Sequence, residues 1–312
     1  MTVHQELVRA APPGDTFLTV GVFDGVHVGH QHLLRCLVNE ARRHGALAGV
    51  VTFRNHPRTV LMPEGGPPYI TSLAQREALL HAEGVDTVVT IPFTKELSLL
   101  DAREFVRLLL AHLRMKGLVV GPDFALGHNR EGTVSALRAL GRELGFQVVV
   151  VGVLLQDGAP IRSTAIRQAL SAGEVVGANR MLGRPFSLDG VVVAGNGRGK
   201  TLGFPTANLQ VDPGRILPAD GIYAAWAVAD GVRYPSATSI GVRPTFGAGA
   251  RSVEAYLMDY QGDLYGKRLE LQFVSRLRDE LAFPSAEALV EQMHRDVAAA
   301  RAALASPGVL GY

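Results

Sequence analysis

The stretch FLTVGVFDGVHVGHQ at residues 17–31 reads as an apolar strand that passes through a Gly-containing turn directly into a helix. The same unit recurs outward from it. LAGVVTF (47–53), DTVVTIPF (86–93), GLVVG (117–121) and QVVVVGVLL (147–155) are apolar runs of strand length. Between them HQHLLRCLVNEARRHG (30–45), SLAQREALLHAEG (72–84), DAREFVRLLLAHLRM (101–115) and EGTVSALRALGRELG (131–145) carry apolar residues at helical spacing. Near-continuously apolar strands alternating with amphipathic helices predict a parallel sheet covered by helices on both faces. Such sheets bind ligands beyond the carboxyl ends of their strands.

From Gly183 the texture changes. Gly and Pro become frequent, and VVVA (191–194), IYAAWAV (222–228), SATSIG (236–241), VEAYLMDY (253–260) and LELQFV (269–274) follow one another without intervening helices. This predicts an antiparallel barrel or sandwich. The last segment, PSAEALVEQMHRDVAAARAAL (284–304), spaces Leu289, Met293 and Val297 for one helix face, and Ser285 is placed to cap it. EVVGANRML (174–182) is a short connecting helix, so the expected division is 1–182 and 183–312.

With 312 residues and 47% hydrophobic content the chain can form two cores. Lys plus Arg exceed Asp plus Glu by only 31 to 29, which argues against a nucleic-acid grip or an anionic membrane surface. One cysteine, Cys36, excludes an intrachain disulfide framework; among Leu33, Leu34 and Leu37 it reads as core packing. The amino terminus lacks the charged-then-apolar order of a signal peptide, so a cytoplasmic location is expected. No run approaches a bilayer span, and the longest, Val148 to Leu155, suits a buried strand. Oligomeric state is not readable.

Two segments carry phosphate chemistry. His27 and His30 flank Gly29 where a helix begins, an end with free N–H groups and a positive dipole. Gly lets a phosphate approach the backbone and two imidazoles can donate to its oxygens, which suits stabilisation of an α-phosphate during nucleotidyl transfer. Incidental surface histidines are the alternative, and a metal cluster of His27, His30, His32 and His56 is a weaker one, because no Cys or carboxylate completes a usual set. The second segment, AGNGRGKT (194–201), fits a relaxed Walker pattern, yet Gly203 and Pro205 break the helix that a P-loop requires. Gly197 and Gly199 can still cradle phosphates through backbone N–H groups, with charge from Lys200 or Arg198. In SVEAYLMDY, Val253, Ala255 and Leu257 share one face and Glu254 with Tyr256 the other.

These residues resemble a known family. GVFDGVHVGHQ, TFRNHP (52–57), VGPDFALGHNREG (120–132) and RSTAIR (162–167) are similar to four motifs of the FAD synthetase module, a Rossmann-like nucleotidyltransferase. The resemblance implies ATP-phosphate contacts from Ser163, Thr164 and Arg167, and flavin contacts from Phe53, His56, Asp123 and Phe124. Arg162 replaces a usual Ser, Asn55 a usual Pro, and Ala125-Leu126 a usual polar and aromatic pair. GKTLGFPTANL (199–209) and the segments after it resemble riboflavin kinase to the terminal helix, with Ser239 in place of a common Asn. That resemblance implies that Thr206 and Asn208 hold Mg²⁺ and ATP phosphates and that Glu254 is the catalytic base. Together they imply a bifunctional enzyme of the prokaryotic flavin biosynthesis family, with an FMN adenylyltransferase domain at 1–182 and a riboflavin kinase domain at 183–312. It would use ATP, Mg²⁺, riboflavin and FMN, and release FAD. A kinase without the adenylyl transfer, or a flavin-binding regulator without turnover, are the competing readings.

Overall fold

A computed structural model describes residues 3–62, 64–195, 199, 202–242 and 251–305. Contacts divide the chain into two compact units, Met1–Pro68 with Ser72–Arg162, and Tyr69–Thr71 with Ser163–Tyr312.

The first unit runs α1 (Val3–Arg9), β1 (Thr16–Val20), α2 (Val28–Arg43), β2 (Leu47–Phe53), α3 (Arg58–Leu61), α4 (Leu73–Ala82), β3 (Thr87–Ile91), α5 (Lys95–Leu99), α6 (Ala102–Leu113), β4 (Met115–Val120), β5 (Ala125–Leu126), β6 (Gly132–Thr133), α7 (Val134–Leu144), β7 (Gln147–Val150), β8 (Leu155–Gln156) and β9 (Ala159–Pro160). Five strands form one parallel sheet in the order β3-β2-β1-β4-β7. Period-two alternation sends Leu18, Val51 and Leu118 to one face, packed with Phe105 and Leu109 of α6. Phe17, Val50 and Val119 face the other side with Leu34, Leu37 and the partly buried Cys36 of α2. Helices therefore cover both faces, as the apolar strands predict.

Two strand expectations need correction. FLTVGVF is strand only as far as Val20, and the run turns at Phe23, whose φ of 51° no strand accommodates. The run Val148 to Leu155 is not one buried strand. β4 ends at Val120, so the last ladder bond on that side is Val151 N–H to Val120 O, 2.8 Å. Beyond it Val153 and Leu155 are exposed, and Leu155–Gln156 pairs instead with Ala159–Pro160 across a turn at Asp157-Gly158.

The second unit contains α8 (Ser163–Ser171), α9 (Val175–Leu182), β10 (Phe186–Val193), β11 (Ala207–Val211), β12 (Gly221–Ala229), β13 (Val232–Val242), β14 (Arg251–Leu257), β15 (Arg268–Arg278) and α10 (Ala286–Ala305). The strands close an antiparallel barrel in the order β10-β11-β14-β13-β12-β15, which resolves the choice between barrel and sandwich. β11, which the sequence texture did not mark, supplies the pairing between β10 and β14. Ser285 Oγ accepts from Ala288 N–H at 3.2 Å at the start of α10, as its position predicts. The outer face of the barrel meets α10 through Ala224, Ala237, Tyr256, Val297 and Ala300.

The contact boundary after Arg162 and the change of texture after residue 182 differ by α8 and α9. Ile166, Leu170, Val175 and Leu182 of these helices are buried in one cluster with barrel residues such as Phe186 and Phe273. Asn179 reinforces the packing by accepting from Phe186 N–H at 2.7 Å and donating to Phe273 O at 2.9 Å.

Arg76, only 1% exposed, holds the strand ends of the first unit. Its Nη1 donates to Val22 O at 2.8 Å and Phe53 O at 2.9 Å. Arg76→Met keeps the apolar stem but leaves those buried carbonyls without their charged donor, at a cost of roughly 2–3 kcal/mol. Calorimetry on the whole chain should show a lowered unfolding temperature; an unchanged one would mean that other groups satisfy the carbonyls.

Candidate functional site

In the first unit the site begins where β1 ends. Asp24 is buried, and Val26 is a β-branched residue at positive φ, a strained conformation held by Gln31 Nε2 donating to Val26 O at 3.0 Å. α2 starts immediately after. His27 is its N-cap, and His27 Nδ1 accepts from His30 N–H at 3.2 Å. A neutral His27 in this arrangement carries its proton on Nε2. The two imidazoles stack with centroids 3.6 Å apart and planes 16° from parallel, and Phe23 packs edge-on against His30. Gly29 leaves room for the His27 ring, since a Cβ there would stand 3.2 Å from it, a tight contact. The structure thus brings His27, Gly29 and His30 together at one helix start, as expected.

A cavity of about 520 Å³ opens at the carboxyl ends of β1 and β2. Phe53, Phe93, Phe105 and Phe124 give it aromatic walls, and Lys95, His128 and Arg130 add basic and imidazole groups. Phe53 and Phe93 meet edge to face at 5.3 Å and 88°. Asn129 and Arg130 both adopt left-handed backbone, with φ of 53° and 59°. Of the four flavin candidates, Phe53 and Phe124 line this cavity; His56 and Asp123 do not. His56 Nδ1 accepts from Arg58 N–H at 3.1 Å, and the exposed Asp123 carboxylate lies 3.8 Å from Arg162. Sequence reasoning missed Phe93 and Lys95, which no motif marks; they reach the cavity because β3 lies beside β2.

Ser163 and Thr164 occupy the first turn of α8 and Arg167 the next. Thr164 is exposed and the other two half-buried.

In the barrel, register does the positioning. Asn208 on β11 stands directly opposite Glu254 on β14, and Ser239 on β13 stands opposite Glu254 from the other side. Thr206 Oγ1 donates to Glu254 Oε2 at 3.3 Å. Asn208 is 8% exposed, and its Oδ1 is buried with no hydrogen-bond partner among the described residues. Gly195 permits this, because a Cβ at that position would lie 2.1 Å from Asn208 Nδ2. Phe204 N–H closes the turn onto Gly199 O at 2.8 Å. Gly197, Arg198 and Lys200 lie outside the described residues.

A cavity of about 400 Å³ lies between the outer barrel face and α10, bounded by Phe204, Thr206, Glu254, Tyr256, Met293 and Val297. Arg278 and Asp296 also line it, joined by Arg278 Nε to Asp296 Oδ1 at 2.8 Å and Nη2 to Oδ2 at 2.5 Å. Glu280 is on the same lining, and desolvation, reinforced by the Asp220 carboxylate, raises its carboxyl above the ordinary range. A second cavity of about 150 Å³ is bounded by Pro205, Thr206, Tyr260, Asp263 and Tyr265. Thr206 belongs to both. The Thr206 hydroxyl and the Glu254 carboxylate therefore meet on the wall of a mostly apolar chamber that shares Thr206 with a smaller one, while Asn208, opposite Glu254 in register, lines neither chamber. Oxygen donors of this kind suit a hard cation such as Mg²⁺, which keeps waters and bridges phosphates.

Comparison with known proteins finds two family models in succession along the chain. Residues 10–165 match the family model described as FAD synthetase, and residues 182–304 that described as riboflavin kinase. The chain is 42% identical to the bifunctional riboflavin kinase/FMN adenylyltransferase of Pseudomonas fluorescens, over 93% of each chain. It is 36% identical to the protein of the same name from Escherichia coli (strain K12), again over 93% of each. Among solved structures, a Streptococcus pneumoniae protein described as macrolide-efflux protein aligns with a TM-score of 0.89 at 31% identity, covering 96% of this chain and 97% of that one. No described helix is long and apolar enough to cross a membrane. With both models matched in order along one chain, and relatives aligned over nearly their whole length, this chain belongs to the family of bifunctional riboflavin kinase/FMN adenylyltransferases.

Proposed function

We propose that the barrel site phosphorylates riboflavin to FMN and that the parallel-sheet site adenylylates FMN to FAD, with the functional division after residue 182. The observation that carries the kinase reading is the Thr206–Glu254 hydrogen bond where two cavities share Thr206, with Asn208 directly opposite Glu254 in register.

In the kinase reaction the larger, apolar chamber takes the flavin ring against Phe204, Tyr256 and Met293. The ribityl 5′-hydroxyl then reaches Glu254. Glu254 accepts the hydroxyl proton as that oxygen bonds to the γ-phosphorus of ATP and the bond to the β–γ bridging oxygen breaks, so ADP leaves. Thr206 donates to Glu254 and keeps the carboxylate aimed. Asn208 Oδ1 and Thr206 Oγ1 are the residues that would hold Mg²⁺, and the ion, when bound, neutralises phosphate charge. Gly197, Gly199 and Lys200 are the proposed loop contacts to ATP phosphates. The smaller chamber beside Thr206 suits the nucleotide.

In the adenylyl transfer a phosphate oxygen of FMN attacks the α-phosphorus of ATP and pyrophosphate leaves. His27 donates from Nε2 and, with His30 and the N–H groups at the start of α2, meets the charge that builds on the α-phosphate. Phe53 and Phe124 flank the isoalloxazine ring, while Lys95 and Arg130 counter the phosphate charge of FMN. Ser163, Thr164 and Arg167 are proposed ATP-phosphate contacts. A cytoplasmic location, small-molecule partners only, and no nucleic-acid or membrane partner belong to the same proposal.

Riboflavin, ATP and Mg²⁺ incubated with the chain and resolved by chromatography should yield FMN followed by FAD. FMN alone would leave a kinase, and neither product would leave a flavin binder. Glu254→Gln preserves size and loses the base, so riboflavin binding by calorimetry should persist while single-turnover phosphorylation slows by roughly 10²–10⁴-fold. Near-normal turnover would return Glu254 to an ordinary strand carboxylate.

His30→Ala should lower FAD formation from supplied FMN by about 10²-fold or more and leave riboflavin phosphorylation unchanged. Equal loss of both activities would contradict a role confined to adenylyl transfer.

A further inference from the structure

Asn55 sits two residues beyond β2, where the resembling motif usually has Pro, and its carboxamide acts as a peptide group facing Phe93. Phe93 N–H donates to Asn55 Oδ1 at 2.9 Å, and Asn55 Nδ2 donates to Phe93 O at 2.8 Å. The main-chain ladder between β2 and β3 reaches its last bond at Arg54 N–H to Ile91 O, 2.8 Å, so the side chain extends that ladder where the strands have stopped. Proline offers neither a side-chain donor nor an acceptor and could not do this. Asn55 Nδ2 also lies 3.3 Å from Thr59 Oγ1, whose hydroxyl donates to His56 O at 2.7 Å, so the same amide ties the short helix α3 to the strand end.

The residue held in this way forms part of the aromatic cavity. Phe93 presents its ring edge-on to Phe53, and both line the chamber together with Leu61, which α3 carries. Asn55 itself is absent from that lining. Its influence on a ligand therefore passes through Phe93, which it holds by both main-chain groups. An aromatic wall recognises a flat ring by its distance and tilt, and a displacement of about 1 Å at such a wall is enough to weaken binding appreciably.

We infer that Asn55 is a positioning residue for FMN adenylylation, whose two-way hydrogen bonding to the Phe93 main chain holds the wall that an isoalloxazine ring packs against. The inference rests on the reading of this cavity as the FMN site. Because the amide touches no reacting atom, its loss should act on FMN affinity and spare the chemical step.

The test uses the full chain, with FMN fluorescence quenching for Kd, steady-state adenylylation against FMN concentration, and riboflavin phosphorylation as the internal control. Asn55→Ala should raise Kd and KM for FMN by about tenfold, the scale of one or two lost hydrogen bonds, with kcat within about twofold and phosphorylation unchanged. Asn55→Asp still accepts from Phe93 N–H but cannot donate to Phe93 O, so it should fall between. Phe93→Ala should show a similar rise, and adding Asn55→Ala to it should change KM by less than about twofold, because the amide acts through that residue. Parent-like Kd in folded Asn55→Asp and Asn55→Ala, or independent effects of Asn55 and Phe93, would overturn the inference. A loss of phosphorylation equal to the loss of FMN binding in both Asn55 variants would also overturn it, as the mark of a general folding role. A parent chain that phosphorylates riboflavin yet neither binds nor adenylylates FMN would overturn the cavity assignment, and the inference with it.

Discussion

The register between β11 and β14 is the constraint on which the barrel site depends. Ala207 pairs with Ala255 and Leu209 with Val253, all four buried in the core, so the period of two sends Asn208 and Glu254 to the opposite face. β13 fixes the same carboxylate from its other edge by pairing Ile240 with Val253 and Ser239 with Glu254. A slip of one residue would exchange core and site residues wholesale. The magnitudes show which interaction governs: fully burying a Leu, Val or Ile stabilises by roughly 1.5–3 kcal/mol, whereas a hydrogen bond such as Thr206 to Glu254 contributes about 1 kcal/mol net. Packing inside the barrel therefore aims the polar groups outside it, and the site needs no strong polar network of its own.

The parallel-sheet unit solves its positioning problem differently. Its functional groups follow the end of a strand, where main-chain pairing has stopped, so local devices take over. Val26 is held in a strained conformation by Gln31, His27 caps the helix that carries His30, and Arg76 gathers the carbonyls of Val22 and Phe53. Asn55 continues the ladder with a side chain. The positive φ of Val26 is strain that the surrounding sheet must offset, and the two-faced apolar core of Leu18, Val51 and Leu118 against Phe17, Val50 and Val119 supplies that rigidity.

Much of this was legible in the sequence, for identifiable reasons. The parallel strands are β-branched and apolar on both faces, a pattern with few competing readings, and Glu254 stands out because its neighbours alternate cleanly. Strand ends were not legible, since whether Val22 and Phe23 continue a strand depends on backbone angles that composition does not encode. β11 was hidden because its residues Ala207 and Asn208 belong to a stretch that reads as a loop signature. Closure of the barrel rests on the pairing of β10 with β15, a long-range match with no local mark. Phe93 and Lys95 escaped notice for the same reason, while His56 and Asp123 sit within recognisable motifs yet off the cavity lining. Asn55 was visible as a departure from the motif, but its partner Phe93, 38 residues away, was not.

Two complete sites acting in series are the central claim, and a mixing experiment tests it most directly. Full-length Glu254→Gln and full-length His30→Ala each lack one step, so neither alone should convert riboflavin to FAD at an appreciable rate. Combined in one vessel with riboflavin, ATP and Mg²⁺, the second should make FMN and the first should adenylylate it, restoring FAD. If both variants fold and the mixture still accumulates no FAD beyond that of the separate proteins, the two residues do not belong to separate, sequential sites.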